Sequence, residues 1–163
     1  MIIAACAYRP EWHATWSALA AKAEAWVADA ASRGAKLLVF PEYAGCEAVL
    51  IGAPVGSPTP ADWTARMCDV ADDWCALNAR LAQHYGVWIL AGSLCARGGA
   101  GPVNRAYLCG PQGQVAWQDK LILTPYERVE MGVVAGDEIK LFETPLGNLG
   151  VLICYDSEFH LQA

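Results

Sequence analysis

The sequence is poor in charged residues, which make up 17% of its 163 positions, and it contains only three histidines. Its net charge is −6 and it has no basic run, so it lacks the excess of Lys and Arg that phosphate-binding and anionic membrane surfaces require. No apolar run is long enough to span a bilayer. The apolar N-terminal stretch also lacks the preceding basic segment that a signal peptide has. These absences argue against nucleic-acid and membrane partners.

The patterns typical of metal sites and of disulfide frameworks are also missing. The seven cysteines are an odd number and form no CxxC pair, and the histidines are far apart. We therefore expect no zinc site, and reduced thiols in a cytoplasmic protein. The cysteines are Cys6, Cys46, Cys68, Cys75, Cys95, Cys109 and Cys154.

What the sequence does have is enough apolar material, 55% of its residues, for the core of one domain. Helical spacing predicts one helix from Trp12 to Gly34, and a second from Pro60 to Gly86 with Thr59 as its cap. Residues 44–60 are interpreted as a loop. Strands are predicted at 2–8, 36–40, 87–94, 103–109, 114–122, 139–144 and 148–154. This order predicts a mixed α/β (α+β) fold, with two helices covering a mixed sheet.

Cys154 is a candidate nucleophile because it ends the predicted apolar strand GVLIC and precedes the polar segment YDSE. The carboxyl end of a buried strand is where α/β proteins place ligands, and an exposed thiolate there is reactive. The alternative is an inert, buried thiol, which is the commoner situation for a free cysteine. An activated thiolate is expected to react with iodoacetamide ahead of the other six cysteines.

Glu42 and Lys120 are the candidate partners. Glu42 leaves the predicted strand KLLVF at its carboxyl end, where partial burial favours a general base, although an exposed loop glutamate is the alternative. Lys120 lies in the apolar segment VAWQDKLIL. It is interpreted either as a lysine that reaches solvent or as a buried ammonium facing a carboxylate and a developing oxyanion.

A second carboxylate follows Lys120 in the segment TPYERVEMG, where Glu127 is slightly favoured over Glu130. A cysteine–histidine mechanism would need a suitably placed histidine, and only His84 and His160 are arguable. The base of a nucleophilic Cys154 is therefore expected to be a carboxylate.

Three segments, FPEY (40–43), DKLILTPYE (119–127) and GVLICYDSEF (150–159), resemble in this order the Glu, Lys and Cys signatures of the nitrilase superfamily of carbon–nitrogen hydrolases. The resemblance implies hydrolysis of a non-peptide C–N bond in a small amide-like substrate, without a cofactor. It implies that Cys154 is the nucleophile, Glu42 the general base, and Lys120, with the backbone N–H of Tyr155, the stabiliser of the tetrahedral intermediate. Glu127 would then orient the substrate or Lys120.

The segment CYD resembles the amidase and carbamoyl-hydrolase branches more than the nitrilases, which favours a small amide as substrate over a nitrile or an N-carbamoyl compound. Members of the superfamily continue beyond the cysteine strand, and His160 stands where a proline is common. The resemblance thus implies that residues 1–163 form one truncated domain, an incomplete αββα sandwich. We expect this chain to form homo-oligomers or to be weakly stable, and to be weakly active or a non-catalytic binding homologue.

Overall fold

The computed structural model describes residues 1–51 and 57–159. Five strands form one mixed sheet in the order β1-β2-β3-β4-β5, in which β1, β2 and β3 are parallel and β4 and β5 follow antiparallel. A separate antiparallel pair, β6–β7, packs beside it. The strands are β1 (Ile2–Ala5), β2 (Ala35–Val39), β3 (Trp88–Arg97), β4 (Pro102–Cys109), β5 (Val115–Asp119), β6 (Leu141–Thr144) and β7 (Gly147–Gly150). The predicted mixed α/β fold is confirmed.

The helices are α1 (Trp16–Ser32), α2 (Pro60–Tyr85) and the short α3 (Pro125–Val129). Helix α2 has the predicted bounds because Thr59 and Asp62 form a capping box and Pro60 occupies the first helical position. Helix α1 begins later than predicted, since the side chain of Thr15 accepts a hydrogen bond from the amide of Ala18 and caps the helix there. In the part of the chain that the structure describes, no helix is both long and apolar enough to cross a membrane.

The two faces of the sheet are covered by different elements. Helices α1 and α2 cover one face, and Leu19, Val27 and Trp74 are fully buried there. The β6–β7 hairpin covers part of the other face. Its side chains Phe142, Leu146 and Leu149 pack against buried Leu37, Trp88 and Leu108.

The segment predicted as a loop over residues 44–60 is partly helical, because residues 44–50 form a 3₁₀ helix. Residues 52–56 of that prediction lie outside the described residues, as does His160. Helix α3 was not predicted at all.

Three predicted strands end several residues earlier than expected, and β1 is the first, since it stops at Ala5 rather than at residue 8. Strand β5 stops at Asp119, before Lys120, and β7 stops at Gly150, so Cys154 does not end a strand but begins a second 3₁₀ helix (Cys154–Glu158). One side chain binds the backbone just after Lys120 and just before Cys154. The buried carboxylate of Asp156 accepts hydrogen bonds from the amides of Leu121, Ile122 and Ile153, which a continuing strand would use in its ladder.

Candidate active site

Four residues from separate parts of the sequence line one cavity of about 430 Å³. They are Glu42, Lys120, Glu127 and Cys154. A cavity of this size is typical of small-molecule sites. The side chains that the sequence predicts to act together are therefore brought together by the fold.

Glu42 is placed by a turn that follows β2 and crosses over β3. Strand β3 bulges between Leu90 and Ser93, and Gly92 there has φ +68°. A Cβ atom at Gly92 would lie 2.2 Å from the carbonyl oxygen of Pro41, so only glycine lets this turn come close. The hydroxyl of Ser93 then accepts a hydrogen bond from the amide of Tyr43, which fixes the turn carrying Glu42.

Lys120 is buried and its ammonium group contacts both glutamates. Its Nζ lies 2.8 Å from Oε1 of Glu42, and 3.0 and 2.8 Å from Oε1 and Oε2 of Glu127. Burial works against the charge of Lys120, but the hydrogen bonds and negative charges of Glu127 and Glu42 outweigh it and raise the pKa of Lys120. Lys120 is therefore held as an ammonium ion.

Glu127 is the more buried glutamate of the site. Burial alone would raise its pKa, but hydrogen bonds from Lys120, the Thr124 amide, Asn104 and Tyr43 lower the pKa to about 2. The Tyr43 hydroxyl donates to Oε1 at 2.9 Å, and the Thr124 amide donates to Oε2 at 2.9 Å. Glu127 is therefore ionised at neutral pH.

Between the two candidates for the second glutamate, the structure places Glu127 in the site, while Glu130 is exposed at the end of α3. Thr124 and Glu127 form a capping box at the start of α3. The pattern Thr-x-x-Glu with proline after the threonine is the sequence signal of such a box. This signal could have separated the two glutamates from sequence alone.

Cys154 adopts a left-handed backbone conformation with φ +47°, and Tyr43, next to Glu42, has φ +58°. These are the two non-glycine residues with positive φ among those that the structure describes. Such backbone costs about 1–3 kcal/mol per residue and is concentrated at functional sites. Of the seven cysteines, all within the described residues, Cys154 alone is exposed.

The protonation state of Cys154 differs from the expected activated thiolate. Burial of the sulfur and the hydrogen bonding and charge of Glu42 raise the pKa of Cys154, and they outweigh the opposing effects of Lys120 and the Tyr155 amide. Cys154 is therefore a neutral thiol at neutral pH. A nucleophilic role would require a base to take this proton, and Glu42 lies beside it.

Two further polar residues of this site were missed from the sequence. Asn104, on β4, donates from Nδ2 to Glu42 at 3.0 Å and to Glu127 at 2.9 Å, and so fixes the two carboxylates relative to each other. Asp156 joins the backbone just after Lys120 to the backbone just before Cys154. A buried Asn in a strand and a buried Asp beside a cysteine carry no spacing pattern that would single them out.

A second cluster of polar side chains lies apart from this cavity, where Glu11, His13 and Glu47 place their ligand atoms within 4.8 Å of one another. The ammonium of Lys22 already lies 2.6 Å from Oε1 of Glu47, so it balances the carboxylate charge that a metal ion would use. Sequence reasoning based on the spacing of histidines and cysteines did not find this cluster.

The fold thus gathers a thiol, a lysine and two glutamates in one cavity beside a mixed sheet. The sequence model of the carbon–nitrogen hydrolase family matches residues 2–163, which is nearly the whole chain. The chain therefore belongs to the carbon–nitrogen hydrolase family, the nitrilase superfamily, as its three motifs predicted.

Relatives and solved structures agree with this assignment. The bifunctional nitrilase/nitrile hydratase NIT4A of Lupinus angustifolius is 32% identical over 155 residues, covering 86% of this chain and 43% of that protein. The probable hydrolase YhcX of Bacillus subtilis is 36% identical over 101 residues, covering 62% of this chain and 20% of that protein. The chain thus spans less than half the length of these relatives.

An amidase from Nesterenkonia sp. AN1, solved in complex with butyramide, has the same fold over 98% of this chain and 58% of the amidase. The TM-score is 0.69 and the sequences are 23% identical. At this identity the likeness concerns the fold alone.

Proposed function

We propose that this protein hydrolyses a small amide to a carboxylate and ammonia through a thioester on Cys154. The observation that carries this proposal is the convergence of Glu42, Lys120 and Cys154 in one cavity. Glu127 is ionised and contacts the ammonium of Lys120 through both carboxylate oxygens, and in this way it keeps Lys120 charged.

In the first half of the reaction, Glu42 takes the thiol proton while the sulfur of Cys154 attacks the amide carbon, so that a tetrahedral oxyanion forms. Lys120 has three N–H donors, and all three contact carboxylate oxygens in the resting site. Protonation of Glu42 weakens its bond to Lys120 and frees one donor for the oxyanion. The amide of Tyr155 is proposed as the second donor.

In the second half, Glu42 gives its proton to the leaving nitrogen, which departs as ammonia and leaves a thioester. Water then attacks this thioester while Glu42 accepts a proton from the water. As the C–S bond breaks, Glu42 returns this proton to the sulfur, so that the acid and the free thiol are released. The proton that Glu42 takes up in each half is returned, so its charge is the same after each turnover.

Hydrolysis of a nitrile or of an N-carbamoyl compound is the second candidate activity. The NIT4A relative, named a nitrilase/nitrile hydratase, supports the nitrile alternative. The segment CYD at 154–156 supports the amide, as stated from the sequence. The same three residues would serve each of these reactions.

Ammonia release from butyramide and butyronitrile tests the proposal. The wild-type protein should release ammonia from the amide, and the Cys154→Ala variant should release none. A Cys6→Ala variant is the matched control because Cys6 is a half-buried thiol that does not line the cavity. Turnover that survives in Cys154→Ala, or that is restricted to the nitrile, would contradict the proposed activity.

A catalytically silent binding homologue is the alternative of a different class. Turnover separates the two, and iodoacetamide labelling with mass spectrometry shows in parallel whether the thiol is accessible, since Cys154 is exposed while the other six thiols are buried or half-buried. If Cys154 is labelled first but no amide is turned over, the site is accessible and the protein is a binding homologue.

We also propose that the protein forms homo-oligomers. Several large apolar side chains are exposed in the described part of the chain, namely Ile2, Ile3, Trp12, Val129 and Leu141. Ile2 and Ile3 lie on β1, the edge strand of the sheet, and an exposed apolar edge is prone to pair with another chain. Light scattering coupled to gel filtration measures the assembly, and a monomer at all concentrations tested would contradict this proposal.

A further inference from the structure

Away from the four reactive side chains, the walls of the cavity are mostly apolar, and the hydroxyls of Tyr43 and Thr124 there donate to Glu127. Val49 and Leu50 come from the 3₁₀ helix at 44–50, Trp63 and Met67 come from α2, and Met131 follows α3. An apolar wall with a few convergent polar groups favours a ligand that has one polar end and an apolar remainder.

The charged groups that line the cavity, among residues 1–51 and 57–159, are Glu42, Lys120 and Glu127. Lys120 directs its three donors at the two glutamates. Until Glu42 accepts a proton, no donor of Lys120 is left for an acidic group of the substrate. The two carboxylates outnumber the one ammonium, so these charges also repel a negatively charged group of the substrate.

Arg66, on α2, lines another hollow, which is bounded by Trp16 and Ala48. Its guanidinium lies 5.7 Å from the centre of the Trp63 ring. Trp63 lines the cavity, whereas Arg66 does not. Substrates with a carboxylate in their tail have no partner among these groups.

We infer that the site selects amides whose acyl tail is apolar and uncharged, and that Trp63 is a residue that determines this specificity. This inference rests on the proposed function, because it names the substrate class of the same site. It disfavours amides whose tail carries a carboxylate, since an anion placed against the apolar wall loses hydration without gaining a charged partner.

Hexanamide and adipic acid monoamide test the inference, because they have the same chain length and differ in a terminal carboxylate. The wild-type kcat/KM should be higher for hexanamide by at least about 100-fold, the order expected for an unpaired buried charge. Trp63→Lys should raise the relative kcat/KM for the monoamide by at least about 10-fold, since a nearby ammonium pairs with the carboxylate.

Two control variants accompany this comparison. Trp63→Leu keeps the wall apolar and should keep the preference for hexanamide. Arg66→Gln should leave the ratio of the two rates unchanged, since Arg66 lines the other hollow. Similar rates for the two amides in the wild type, or a monoamide rate that depends on Arg66, would overturn the inference and leave the proposed hydrolysis intact.

Binding gives a second readout that does not depend on turnover. Titration of the Cys154→Ala variant by ligand-observed NMR should show tighter binding of hexanamide than of the monoamide. If this preference is seen but the wild type hydrolyses no amide, the selectivity stands and the proposed function fails. If hexanamide is neither bound nor hydrolysed, the inference is overturned.

Discussion

Glu42 and Glu47 lie close together in the sequence, and each contacts a lysine, yet they belong to two different kinds of site. Glu42 is half-buried at the cavity, where it shares Lys120 with Glu127 and lies beside the thiol of Cys154. Glu47 is fully buried in a closed cluster, where it contacts Lys22 at 2.6 Å and His13 at 2.8 Å. A glutamate–lysine pair is thus not in itself a sign of catalysis.

The difference lies in what surrounds each pair. Around Glu42 there is an open cavity, an exposed cysteine and strained backbone at Tyr43 and Cys154. Around Glu47 the oxygen Oε1 accepts three hydrogen bonds, from Lys22, His13 and the amide of Glu11, and joins α1 to the 3₁₀ helix at 44–50. The closed cluster is therefore interpreted as structural support for the cavity wall.

The largest effect is expected for Glu42→Gln, which removes the proposed base. Amide turnover should fall by roughly 10²–10⁴-fold, the usual contribution of general acid–base catalysis. The charge of Glu42 also raises the pKa of Cys154, so the substitution should lower that pKa and speed alkylation of Cys154 at pH 8. Stopped-time ammonia assays and mass spectrometry measure the two effects.

These opposite changes distinguish a base from a structural carboxylate. If alkylation of Cys154 slows together with turnover in Glu42→Gln, the substitution has disturbed the cavity, and the assignment of Glu42 as base loses its support.

The next largest effect is expected for Glu47→Gln, and it should appear in stability. Breaking a buried ion pair costs about 3 kcal/mol, near the lower end of the usual range because Lys22 keeps Glu11 as a partner at 3.2 Å. Urea unfolding should show a lower midpoint with an unchanged slope. Turnover per folded molecule should stay close to wild type, and a specific loss of turnover would contradict a structural role.

Acid should moderately reduce the stability that Glu127 contributes in the cavity and that Glu47 contributes in the closed cluster. The pKa of Glu127 is lowered from 4.5 to about 2 in the folded protein, so its stabilising effect is full above pH 4.5 and is lost as the pH falls towards 2. The pKa of Glu47 is also lowered, so its effect has the same sign, because the hydrogen bonds from Lys22 and His13 outweigh the effect of burial. The free energy of unfolding should therefore fall over this range.

Unfolding measured against pH in Glu127→Gln and in the wild type isolates the contribution of this carboxylate. This variant should be less stable than the wild type at pH 7 and should lose less stability between pH 4.5 and 2, because its side chain does not titrate. Parallel pH curves for the two proteins would contradict the ionised state of Glu127.

The smallest effect is expected for Asp29→Asn, which is the same carboxylate-to-amide change on the surface. Asp29 pairs with Arg33 one helical turn away, and both side chains are mostly exposed. Such pairs contribute less than about 0.5 kcal/mol. Urea unfolding should therefore place this variant within error of the wild type, and a loss comparable to that of Glu47→Gln would remove the contrast between buried and exposed pairs.

The regular elements were largely predictable, because apolar spacing and capping residues act locally. Helix α2 is an example, with Thr59 and Gly86 marking its ends. The candidate residues were found from strand ends and from the order of three motifs. Neither kind of signal reports on contacts between distant segments.

The errors at the ends of β5 and β7 and inside the site arise from such distant contacts, whereas the start of α1 and the missed helix α3 involve local capping residues that the sequence does contain. Strand β5 was predicted to include Lys120 and the last strand to reach Cys154, but the Asp156 carboxylate takes the amides of both segments. The protonation of Cys154 was misjudged because burial and the approach of Glu42 depend on the whole fold. The role of Asn104 was missed for the same reason, because its hydrogen bonds to Glu42 and Glu127 join segments that are distant in the sequence.

Asp156 has a consequence for the way this part of the molecule opens. Its side chain binds the amides of Leu121 and Ile122 on one segment and of Ile153 on the other, all outside regular strands. Amide protons that share one buried acceptor become exposed to solvent together, since one rotation of the carboxylate releases all three. In hydrogen exchange these three amides should behave as one cooperative unit, and the proposed nucleophile and its lysine should gain or lose their alignment in a single step.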